Sequence, residues 1–94
     1  MVYQLTYELR TPDKDYSELY AFLEKGLGGE AIHVLRDCWW IFTTETSASK
    51  LCDEIRAHLG EKDLFFVSRL PDGGDYMNGW QPQSSWAWFQ AHKD

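Results

Sequence analysis

Glu8 stands one residue before the end of the alternating stretch VYQLTYEL and two residues before Arg10. A carboxylate at a strand end can ligate a divalent cation, and a second copy of it across a two-fold axis would give that ion two anionic oxygen ligands. Without such a partner, the same side chain is the solvated side of an amphipathic strand. Arg10, Lys14, Arg36 and Arg69 lie at or near the ends of β-prone stretches. Gathered on one edge, their cations would meet phosphates, whereas scattered they only solubilise.

Other chemistries find less support. His33, His58 and His92 have no metal-ligand spacing among themselves or with Cys38 and Cys52. No base accompanies either cysteine, so a nucleophilic pair or triad has no candidate. The two cysteines are too few for a disulfide framework and read as ordinary reduced thiols. Gly26, Gly28 and Gly29 follow a helical pattern and lack the Lys-Ser/Thr pair of a phosphate loop, so they read as a helix stop.

The elements that must position these groups follow from periodicity. Residues 2–9 alternate, with Tyr3, Leu5, Tyr7 and Leu9 on one side and Val2, Gln4, Thr6 and Glu8 on the other, which predicts a strand with one buried face. Pro12 and Asp13 end it, and Asp15 with Glu18 has capping-box spacing. A helix should follow through Tyr16, Leu19, Tyr20, Leu23 and Leu27, apolar positions three and four apart. EAIHVL and CWWIFTT, separated by Arg36 and Asp37, form a hairpin whose second strand is apolar enough to lie mid-sheet or to have its outer face covered by another subunit.

Thr46 or Ser47 then caps a helix with the stripe Ala48, Leu51, Cys52, Ile55 and Leu59, ended by Gly60. DLFFVSRL is the last strand of the core, closed by the turn chemistry of PDGGD. The order β-α-β-β-α-β predicts an α+β, ferredoxin-like domain: a four-stranded antiparallel sheet with two helices on one face. Its other face is left for solvent or an assembly. Residues 1–70 form this core within a single domain of 94, and 71–94 form an aromatic extension with a short edge strand, Tyr76 to Trp80, and a short helix capped at Ser84 or Ser85. Trp80, Trp86, Trp88 and Phe89 could stack bases, but Lys93 is the lone cation of that tail, so packing within the chain, at a dimer interface or onto a protein partner fits better.

Composition bounds the partners. A net charge of −6 argues against a strongly basic nucleic-acid module, although not against a local basic patch. No apolar run approaches the roughly 20 residues that cross a bilayer, and the N-terminal stretch lacks the pattern of a signal peptide. The expectation is a cytoplasmic protein without a membrane partner.

With YELR, TPDKDYSELYAFL, CWWIFTTETSASKLCDEIRAHL and KDLFFVSRL in view, the chain resembles the small ferredoxin-fold proteins related to the CRISPR-associated adaptation nuclease and to virulence-associated protein D, especially the SinR-like members. The resemblance spans nearly the whole chain. It implies a homodimer whose open sheet faces meet, with strand-end acids near the axis, and a defence or toxin-like role through contact with nucleic acid. In the nuclease branch the acid is an aspartate proposed to bind Mg²⁺, and Glu8 is what matches it here. Glu is one methylene longer, which changes the reach to an ion that demands octahedral geometry and argues against catalysis. If the chain is an enzyme, the resemblance makes it a metal-dependent ribonuclease or deoxyribonuclease. The alternative is a non-enzymatic dimeric interaction or scaffold module.

Overall fold

Alternation in the first strand is what organises the molecule. The computed structural model describes residues 1–11, 15–26, 30–44, 47–71 and 78–92, the side chains of residues 25 and 26 apart. Within these, strands β1 (Val2–Glu8), β2 (Glu30–Leu35), β3 (Cys38–Phe42) and β4 (Leu64–Arg69) form one antiparallel sheet in the order β2-β3-β1-β4. Helices α1 (Ser17–Ala21), α2 (Ala48–Arg56) and α3 (Gln83–His92) complete an α+β fold, and a π-helical turn, Phe22–Gly26, continues α1.

The odd side of β1 behaves as its pattern requires. Tyr3, Leu5 and Tyr7 are buried in one cluster with Trp39 and Ile41 of β3, Leu19 and Leu23 of the first helical segment, and Leu51 and Ile55 of α2. Each fully buried aliphatic side chain of this kind contributes about 1.5–3 kcal/mol relative to exposure. Ser47 caps α2 by accepting from the Lys50 amide at 3.2 Å, while Thr46, the alternative cap, lies outside the described residues. At the other end α2 stops at Arg56, whose guanidinium donates to the Gly60 carbonyl at 2.9 Å; in the turn that follows the Leu59 amide bonds the Arg56 carbonyl at 3.2 Å, and Leu59, the last residue of the expected stripe, still packs against the core.

The first helix differs from the capping-box expectation. Its N-cap is Tyr16, whose side chain makes no capping hydrogen bond, while the Asp15 carboxylate turns back to accept from the Ser17 amide at 2.9 Å. Asx residues commonly bond the backbone two positions on, which competes with the longer capping reach. The expected helix residue Leu27, Gly28 and Gly29, and Tyr76 and Met77 of the expected edge strand lie outside the described residues. Residues 78–80 of that strand are irregular instead.

A second correction concerns the even side of the sheet. Part of it is covered by α3: Phe89 packs with Val2 and Trp40, joined by the half-buried Ile32, Val34, Phe42, Leu70, Trp86 and Trp88. Ser84 and Ser85 lie inside this helix rather than at its cap, because it begins at Gln83, with the Ser85 amide bonded to the Pro82 carbonyl at 2.9 Å. His92 fastens the far end, facing the Trp88 carbonyl at 2.7 Å and the Glu30 carboxylate at 2.6 Å and stacking on the Trp88 ring. The apolar run of β3 is thereby explained: Trp39 faces the first cluster and Trp40 the second.

Candidate functional site

Glu8 is the last residue of β1 and is exposed, opposite Leu64 of β4. Its carboxylate forms an ion pair with the Arg10 guanidinium, and both side chains are more than half exposed, so solvent screens the attraction. Arg36 sits in the turn between β2 and β3. That turn abuts the end of β1: the Asp37 carbonyl accepts from the Tyr7 amide at 3.0 Å, and the Arg36 carbonyl accepts from the Tyr7 hydroxyl at 3.4 Å. Arg69 lies opposite Tyr3, toward the other end of the sheet. Arg10 and Arg36 therefore share one end of the sheet and Arg69 the other, while Lys14 lies outside the described residues.

The likeness to the nuclease branch implies Mg²⁺ at Glu8. The Glu8 carboxylate is already paired with Arg10, and no group of three or more His, Cys, Asp or Glu converges among the described residues. These residues of one chain do not fit the ion. The histidines are engaged in packing instead. His33 stacks on Trp39 with centroids 4.4 Å apart, His58 on Phe22 at 4.3 Å, and His92 holds α3. Burial pushes the Cys38 and Cys52 thiols up, with Asp53 adding to the effect at Cys52, which leaves little reactive thiolate at neutral pH.

The most organised polar group is one the sequence reading passed over. Asp63 is 5% exposed, immediately before β4. Its Oδ1 accepts from the amides of Arg10 (2.6 Å) and Thr11 (3.0 Å) and from the Thr11 hydroxyl (3.1 Å). Oδ2 accepts from the Gly60 amide at 2.7 Å, and the Tyr16 hydroxyl lies within 2.8 Å of both oxygens. Burial alone would raise its pKa, but the hydrogen bonds from Tyr16, Gly60, Arg10 and Thr11 outweigh it and hold the carboxyl far below the usual carboxylate range. In turn, burial and the adjacent carboxylate push the Tyr16 hydroxyl up. A Cβ at Gly60 would overlap the Thr11 side chain, so this close approach needs glycine. Every donor here belongs to the protein's own loops, and the arrangement is a clasp joining the exit of β1 to the entry of β4.

Beside the clasp, the even side of the sheet is left uncovered where α3 stops. Leu64 is 52% exposed and Phe66 65%, next to the exposed Thr6 and Glu8. With Tyr7 and Phe65 these residues line a shallow groove of about 400 Å³ whose surface is mostly apolar. In the tail, Trp86, Trp88 and Phe89 are packed, whereas Trp80 is 98% exposed. Comparison of the chain with protein-family models, with curated proteins and with solved structures finds no match.

Proposed function

We propose that the chain is a non-enzymatic, ferredoxin-like interaction module of the cytoplasm that works as a homodimer. The ferredoxin-like reading is supported by the βαββαβ order ahead of α3, by β2 and β4 as the outer strands, and by the single cluster that Leu19, Leu23, Leu51 and Ile55 share with the odd side of β1. Self-association rests on one observation, the apolar strip of Leu64 and Phe66 left exposed on an outer strand. Exposed apolar side chains on an unprotected outer strand mark an interaction surface or an aggregation site. Wild type is expected to sediment as a dimer at micromolar concentration and Phe66→Lys as a folded monomer, since lysine on an outer strand blocks pairing at little cost to the fold. A wild-type monomer under those conditions overturns the reading.

A second reading, contact with nucleic acid in a defence or toxin-like role, is favoured by Arg10 and Arg36 at one end of the sheet. Their cations would face phosphates together, and Arg69 at the other end would not join them. The test is retention of a single-stranded RNA or DNA oligonucleotide at low salt and its release as salt rises, because phosphate contacts displace counterions. Retention lost in Arg10→Gln/Arg36→Gln supports this reading, and no retention at low salt ends it.

A further inference from the structure

We infer that two copies join edge to edge along β4, antiparallel about a two-fold axis through Phe66, so that the sheet of one chain continues into the sheet of the other. The inference rests on the self-association proposed above and assigns its geometry. β4 is an outer strand, and among the described residues nothing pairs with its free side. Its sequence, LFFVSR, has the aromatic and branched residues that favour strands and neither a proline nor a bulge to blunt the edge, and its one charge, Arg69, stands at the far end of the strand.

Backbone parity restricts the pairing. The Leu70 amide donates to the Val2 carbonyl at 2.9 Å, and antiparallel strands alternate the direction of their amides. Even-numbered residues of β4 therefore bond β1, and the amides and carbonyls of Phe65 and Val67 point to the outer side. A symmetric partner strand must pair odd residues with odd ones, which puts the axis on a residue and not between two. Only centres at Phe66 and Val67 keep most of this short strand paired.

Side chains choose between the two centres. An axis at Phe66 sets Phe66 against its own copy on the even face. Phe65 then lies opposite Val67, an aromatic–branched pair of the favourable kind, and Leu64 lies opposite Ser68. The exposed Phe66 is covered at the centre of the interface. An axis at Val67 would instead place Phe66 against Ser68 and Phe65 against Arg69. An isologous interface needs the self-complementarity of the Phe66 centre.

In the inferred pairing Phe66 occupies a position without direct backbone bonds to its copy, where facing Cα atoms approach to about 4.5 Å, within disulfide reach. Mild oxidation of Phe66→Cys should give a disulfide-linked dimer on a non-reducing gel. Ser68→Cys, about 14 Å from its copy at the strand rise of 3.4 Å per residue, should give no more than wild type. As a check independent of substitution, exchange of the Phe65 and Val67 amides in wild type should slow by about tenfold or more between dilute and concentrated protein.

A wild-type dimer whose Phe66→Cys form stays unlinked, and whose Phe65 and Val67 amides exchange at a concentration-independent rate, overturns the edge pairing and leaves self-association standing. Linking of Ser68→Cys in preference to Phe66→Cys overturns the Phe66 axis. A wild-type monomer ends both.

Discussion

Asp63→Ala should lower the unfolding free energy by about 3–5 kcal/mol, the range for removing one partner of a buried, hydrogen-bonded charge. The loss comes less from the missing carboxylate than from what it leaves behind. The amides of Arg10, Thr11 and Gly60 and the Tyr16 hydroxyl lose their common acceptor. Each buried donor left unpaired costs about 1–3 kcal/mol, offset where the loops open to water. Asp63→Asn should cost less, because its oxygen can keep the Arg10 and Thr11 bonds while its NH₂ opposes the Gly60 amide. Urea unfolding at neutral pH measures both, and a change under about 1 kcal/mol for the alanine variant would remove the clasp from any structural role.

The same group sets the acid limit. Folding depresses the Asp63 pKa, so its stabilisation is complete above the unfolded aspartate value of about 4 and is lost as pH falls from there toward the folded value. Wild type should therefore lose stability below about pH 4 more steeply than Asp63→Asn, which has no proton to take up at that site.

Phe89→Ala should cost about 3 kcal/mol or more, the scale for a large-to-small change in a packed cluster. Phe89 is 6% exposed and lies 5.6 Å from the Trp40 ring, centroid to centroid, so truncation weakens the contact of α3 with the sheet. Tryptophan emission gives a readout specific to that side, since Trp40 and Trp86 become wetter and shift to the red. Trp80, already exposed, changes little. Unchanged emission and stability would mean that α3 does not hold the sheet.

Much of this arrangement is legible in local sequence because local rules govern it. The odd–even burial of β1, the apolar β3 and the Ser47 cap each follow from neighbours within a few positions. Asp63 was not legible. Read locally it only precedes a strand, and the Arg10 amide it binds lies 53 positions away in sequence, so no spacing rule connects them. The docking of α3 was half legible: the aromatic tail announced packing, but its apolar residues do not form one clean stripe, and only the fold shows which surface they meet. Placing the arginines at strand ends was straightforward. Which end of the sheet each occupies depends on strand order, and this separates Arg69 from Arg10 and Arg36.

The adjacent indoles of β3 carry a final consequence. Trp39 donates to the Tyr7 hydroxyl and Trp40 to the Gln4 amide oxygen, each at 3.1 Å, so β3 is pinned to β1 from above and from below. Sliding β3 by one residue would exchange the two rings between layers and break both pins at once, a slip that a one-sided strand pair resists only through its apolar face. The central pair of strands is thus proofread twice during folding. Among the described residues the outer strand β4 has no such indole pin, so its register rests on its ladder with β1 and on the packing of Phe65 and Val67.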